Sequence, residues 1–265
     1  MLETKNGQIN INEYKITSWI PEESKNIFEI LEKPNWAPWL AASEQALAGR
    51  AKVFPEGQLV LKNVYGLPMA SLSTNKINWD GNSETLPCWD EVAGDPTTYE
   101  NTYKPNGNTI VLMSMNVGSE FQGSGLARKM IEKIKTVAQD LKAEHLIGSF
   151  RPNQFGKYKS QSGKEDTDFT EYCMMKREDG LPIDGWLRSL TRNGMQSLTV
   201  DKKAMTVIVP IDEFKEYQKT YCLNMWKEIF PNIWECGEVG YWLVNKKKGI
   251  AVYRECNLWG ALPIK

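Results

Sequence analysis

Histidine is almost missing from this chain: His145 is the only one among 265 residues. That scarcity disfavours a Ser-His-Asp or Cys-His mechanism and any multi-histidine metal site. An enzyme with this sequence would run its chemistry largely without imidazole, and no metal is expected. Cysteine is equally uninformative as a scaffold. The five thiols (Cys88, Cys173, Cys222, Cys236, Cys256) are odd in number, far apart and never in a C-x-x-C pair, which argues against a disulfide framework or a zinc site. An excess of either charge is also lacking, with 32 lysines and arginines against 33 aspartates and glutamates. A phosphate-tracking surface needs a net basic face, so nucleic acid is not the expected partner. No apolar run approaches the roughly 18 residues of a membrane span. The segment Met1-Leu-Glu-Thr-Lys-Asn-Gly-Gln8 has no signal-peptide h-region, so a cytoplasmic protein without a membrane partner is expected. Internal repeats and low-complexity stretches are missing too.

What is present is a globular balance, 41% apolar and 25% charged, enough to bury a core in one large or two small domains. Apolar spacing predicts short helices over 22–31 and 39–48, separated by Pro34-Asn35-Trp36-Ala37-Pro38. A hairpin follows over 58–65 and 67–72, turning at Gly66. Residues 75–108 are rich in turn formers and form a long excursion. Thr109 to Val117 is apolar enough for a central strand. Leu126 to Leu141 carries the clearest amphipathic pattern: Leu126, Met130, Ile131, Ile134, Val137, Ala138 and Leu141 share one face. His145 to Phe150 is a further strand, completing a right-handed, parallel βαβ-like unit.

Residues 153–183 read as an insertion holding a helix over 169–177. A helix capped by Asp184 and closed at Asn193-Gly194 comes next, then a hairpin of 195–200 with 204–209. A helix over 212–222 and a hairpin over 239–256 follow. Two units are expected: 1–210 as the main domain, and 211–265 as a helix and hairpin packed on it.

The chemistry concentrates between the Val117 strand and the long helix, where Gly118, Gly123 and Gly125 fall. Helix N-termini present unpaired amide donors with a partial positive charge, and glycine lets a phosphate approach the backbone. Glycine in a tight turn is the bland alternative. A Walker loop would need G-K-S or G-K-T where Gly125-Leu126-Ala127 stands. A dinucleotide fingerprint would need a third glycine where Arg128 stands.

The run Gln122-Gly123-Ser124-Gly125-Leu126-Ala127 matches the signature (Arg/Gln)-x-x-G-x-(Gly/Ala), with Val117 at the usual distance before it. With the element order, this resembles the GNAT N-acetyltransferase superfamily over roughly Ile9 to Pro210. The resemblance implies an α/β (α+β) fold, a mixed and mostly antiparallel twisted sheet flanked by helices. It also implies binding of acetyl-CoA or another acyl-CoA. Backbone amides from Gly123 to Arg128, including Ser124, Leu126 and Ala127, would hold the pyrophosphate, with Gln122 shaping the loop. Met115, Asn116 and Val117 would lie along the pantetheine, and the thioester would reach the gap between the Val117 and His145 strands.

The implied activity is acyl transfer, by direct attack, to the amine of a small molecule. Relatives place a tyrosine acid four residues before the glycine that closes the later helix, and here that position is Leu190. Tyr158 and Tyr172 in the insertion are the substitutes considered, packing being their alternative role. A CoA-binding module without transfer is the competing reading, and a dinucleotide-dependent oxidoreductase a third. Trp36 and Trp39 would border an aromatic acceptor pocket or simply pack. The additions at 153–183 and 211–265 could form a lid or a homodimer contact.

Overall fold

The structure, a computed structural model, describes residues 14–162 and 168–264. The start of the resemblance at Ile9 and part of the polar stretch ending at Thr167 lie outside them. In chain order the elements are β1 (Tyr14–Ser18), α1 (Ser24–Ile27), a π-helical segment Phe28–Glu32, α2 (Lys33–Asn35), α3 (Glu44–Val53), β2 (Gln58–Asn63), β3 (Pro68–Ile77), α4 (Trp89–Ala93) and β4 (Thr109–Val117). Then come α5 (Leu126–Asp140), β5 (His145–Phe150), α6 (Phe155–Ser162), α7 (Phe169–Met174), α8 (Gly185–Arg192), β6 (Gln196–Pro210) and α9 (Ile211–Thr220). Four strands finish the order: β7 (Lys227–Phe230), β8 (Ile233–Glu235), β9 (Tyr241–Asn245) and β10 (Ile250–Ala261).

All ten strands join one sheet, ordered β1-β2-β3-β4-β5-β10-β9-β8-β7, with β6 paired to β10. Among the described residues only β4 and β5 pair in parallel, as a strand-helix-strand crossover requires. The antiparallel majority matches the expected α/β (α+β) sheet flanked by helices. β6 runs along the whole of β10, from Pro210 opposite Ile250 to Gln196 opposite Ala261, so β9 and β5 share the other edge of β10 end to end.

Three expectations need correction. The hairpin expected at 195–209 is one strand, β6, because Lys202, Lys203 and Ala204 stand opposite the single residue Cys256 in a bulge instead of turning. The final hairpin exists, but its second strand, β10, lies inside the sheet between β5 and β6, so residues 250–261 complete the main sheet. α3 also begins later than the apolar pattern suggests. The Ser43 side chain accepts from Ala46 N at 3.1 Å and sets its first turn.

Alternation along the strands divides the core between two faces. Ile110 and Leu112 face α5, whose Leu126, Met130, Ile131 and Ile134 are buried against them. Val111 and Met113 face the opposite layer, with Trp39, Trp89, Phe214, Trp242 and Trp259. Among the described residues no helix is long and apolar enough to cross a membrane.

Candidate functional site

β4 and β5 pair over only four residues each, from Thr109 opposite His145 to Leu112 opposite Gly148. Beyond that point they part. β4 continues against β3 as far as Val117 opposite Ala70, and β5 continues against β10 with Phe150 opposite Leu258. The cause is local: Met113 is an extra residue in β4 between the pairs Leu112–Thr74 and Ser114–Ser73, and such a bulge bends and twists its strand. The Met113 carbonyl accepts the indole N–H of Trp89 at 2.9 Å. From Met113 to Val117 the β5-facing edge of β4 has no ladder partner among the described residues, leaving a V-shaped cleft.

The glycine loop closes the end of β4. Gly118 N donates to Met69 O at 2.9 Å, and Ser124 N donates to Phe121 O at 3.2 Å, folding the loop over the start of α5. Gly123 and Gly125 have φ of 78° and 86°, where a side chain would be strained. A Cβ at either would meet nothing within 4 Å, so open space lies in front of the loop. Gly125 caps α5 without a side chain, and the amides of Gly123, Gly125, Leu126, Ala127 and Arg128 donate no hydrogen bond among the described residues. Buried Leu126 fixes the helix start against the core. Gln122 Nε2 lies 3.5 Å from Val117 O and 3.4 Å from Asn35 Oδ1, tying the loop to β4 and α2. The exposed Arg128 guanidinium pairs with Glu132 at 2.9 Å, one turn along the same helix.

Met115 and Val117 pack on the α5 side, while Asn116 turns its side chain to the other face. There Asn116 Nδ2 donates to Glu32 Oε2 at 2.6 Å, and Asn116 Oδ1 accepts from Trp36 Nε1 at 2.7 Å. Glu32 is buried, and that burial raises its pKa against the opposing effects of the Ala42 amide, the Arg50 charge and Asn116. Across the cleft, Arg151 follows β5 directly and its guanidinium lies 5.9 Å from the Trp36 ring centroid. Its Nε donates to Glu255 at 3.0 and 3.1 Å and its Nη2 to Glu238. Burial opposes the Arg151 charge, but Glu255, Tyr253 and Glu238 outweigh it and lift its pKa well above the ordinary value.

Tyr158 and Tyr172 lie together, ring centroids 5.1 Å apart, in a cluster with Phe155 and Phe169. The Tyr172 hydroxyl donates to Asp184 Oδ2 at 3.1 Å, and burial with that carboxylate pushes its pKa far up, making it a weak acid. Leu190 is fully buried. His145 packs edge-on to Trp79 at 4.9 Å. The glycine turn and Trp36 stand out in the sequence; Glu32, Arg151, Glu238 and Glu255, which the fold brings to the same cleft, do not. The one local signal was Arg151 standing at the end of a predicted strand.

In fold, this parallel pair that opens at a bulge, beside a glycine turn at a helix N-terminus within a mostly antiparallel sheet, is similar to solved GNAT-like domains. The loading GNATL domain of CurA from Lyngbya majuscula superposes with a TM-score of 0.61 at 15% identity, covering 95% of this chain and 98% of that one. The GphF GNAT-like decarboxylase in complex with isobutyryl-CoA gives 0.59 at 17% identity, over 72% and 90%. No protein-family model matches the chain, and no curated protein matches its sequence.

Proposed function

We propose that this chain is an acyl-CoA-dependent N-acyltransferase, carrying an acyl group, acetyl by default, from the thioester to the amine of a small molecule. The observation that carries the reading is the pairing of the opened β4–β5 cleft with five undonated amides at the head of α5. The amides of Gly123 and Gly125 to Arg128 hold the pyrophosphate, and Gln122 braces their loop. The free edge of β4 at Met115, Asn116 and Val117 pairs with the pantetheine amides as an added strand would. The thioester then lies at the cleft mouth between Asn116 and Arg151. A neutral amine attacks its carbonyl, backbone donors of β4 stabilise the oxyanion, and the thiolate departs. Of the two tyrosines, Tyr158 is the one assigned to protonate the leaving thiolate, because the Tyr172 hydroxyl is already committed to the Asp184 carboxylate.

Gly125→Glu puts bulk and negative charge where the pyrophosphate would sit. Titration calorimetry is expected to find CoA affinity reduced by at least about a hundredfold with the far-UV spectrum unchanged, since about 2.7 kcal/mol of phosphate contact is lost. Unchanged affinity would put the site elsewhere. Free-thiol release from acetyl-CoA across an amine library tests transfer; tight CoA binding without acceptor-dependent release would favour a binding module without transferase activity. A second reading, loss of carbon dioxide from a carboxylated acyl-CoA, draws on the GphF likeness and on the cation Arg151 at the mouth. Carbon dioxide release from malonyl-CoA without any acceptor separates it from transfer.

A further inference from the structure

One wall of the cleft mouth is built from three residues that meet from distant parts of the chain. Glu32 is 2% exposed and accepts twice: Oε1 from Ala42 N at 2.9 Å and Oε2 from Asn116 Nδ2 at 2.6 Å. Asn116 is 3% exposed, and its Oδ1 takes the Trp36 indole N–H at 2.7 Å. The Trp36 ring then reaches to 5.9 Å from the Arg151 guanidinium on the β5 side. The half-buried indole thus spans the strands where they have parted.

Chemistry leaves this chain of bonds one direction. A carboxylate only accepts and an indole N–H only donates, so the amide between them must turn its NH₂ to Glu32 and its carbonyl to Trp36. A glutamine side chain at position 32 would break the order. With one oxygen left to accept from two donors, it would turn its own NH₂ to Asn116 and flip that amide, bringing the Asn116 NH₂ against the Trp36 N–H.

We propose that Trp36 is the wall that limits the acyl group this cleft takes, and that Glu32, acting through Asn116, is the positioning residue that holds the wall in place. The proposal rests on the acyl-CoA reading. With the pyrophosphate held at the loop, the fixed length of pantetheine delivers the acyl carbon to the mouth, where the indole stands. A rigid aromatic tied at its N–H blocks a long chain, and one cut loose gives way.

The test measures dissociation constants of CoA and of acetyl-, butyryl-, hexanoyl- and octanoyl-CoA by calorimetry on the full chain. In the wild type, affinity relative to CoA is expected to fall with chain length. Trp36→Ala should improve octanoyl-CoA over acetyl-CoA by about tenfold, the scale at which a pocket discriminates apolar groups. Trp36→Phe, a milder change, should keep the fold and shift the preference in the same direction. Glu32→Gln should shift it by about threefold or more. Adding Asn116→Asp to Glu32→Gln should restore the wild-type profile, because a carboxylate at position 116 can accept from both the introduced amide at position 32 and the Trp36 N–H. A profile unmoved in both Trp36 variants, with CoA still bound, overturns the wall. A double variant no better than Glu32→Gln overturns the positioning role. Failure of the wild type to bind CoA or any acyl-CoA overturns the underlying reading instead.

Discussion

Arg151 enters the interior directly after β5 and meets two carboxylates, Glu255 through Nε at 3.0 Å and Glu238 through Nη2. The hydroxyls of Tyr253 and Tyr221 also donate to Glu255 and Glu238, each at 2.6 Å, so both acids hold further donors besides the guanidinium. Burying such charges is costly, and removing one partner strands the rest. The Glu255 side chain has 0% exposure and could not recover water. Arg151→Met is therefore expected to cost about 3–5 kcal/mol, read as a lower urea midpoint at neutral pH. Arg151→Lys should recover only part of that loss. An ammonium restores the charge, but it cannot present a rigid planar fork to carboxylates on two sides. A loss below about 1 kcal/mol, on the scale of an exposed pair, would show that the network is solvated.

Among the elements, α8 depends most on a single buried side chain. Asp184 caps it by accepting from Trp186 N at 2.9 Å and Leu187 N at 3.0 Å, and it also accepts from Gln154 N and the Tyr172 hydroxyl. One carboxylate thus ties α8 to α7 and to the residue before α6. Asp184→Ala should cost about 3 kcal/mol in chemical denaturation, against about 1 for Ser43→Ala at the exposed cap of α3. Equal losses would mean that Asp184 acts only as a local cap. This cap was legible in the sequence, as were β4, α5 and β5, because each is a long or strongly patterned segment with local end signals. β1, α4, β7 and β8 were not, since three to five residues carry too little periodicity to stand out. The polar run Asp201-Lys202-Lys203 looked like a turn, but pairing with β10 turned it into a bulge. The glycine loop was readable for the same local reason. The rest of the candidate site was hidden because its contacts join residues 84 positions apart, Glu32 to Asn116, and 104 apart, Arg151 to Glu255.

At the scale of the whole molecule, the sheet is completed by β10, the last of its strands in chain order. β10 separates β5 from β6 and supplies Glu255, while the connection between β8 and β9 supplies Glu238. A chain cut after Pro210 would keep the glycine loop, β4, β5 and α5, the parts from which the GNAT resemblance was read. It would lose Trp242, Tyr253, Leu258 and Trp259, each no more than 4% exposed. At about 1.5–3 kcal/mol apiece, those four side chains are worth about 6–12 kcal/mol. That is comparable to the entire margin of about 5–15 kcal/mol that keeps a domain folded. The same cut would bare the β5 edge from Ile147 to Phe150 and remove both carboxylates that pair with Arg151. The fragment 1–210 is therefore expected to show no cooperative thermal transition by circular dichroism and to aggregate through the exposed edges. A cooperative transition together with CoA binding would mean that the boundary at residue 210 divides two independent units. In that case β10 would be dispensable to the cleft.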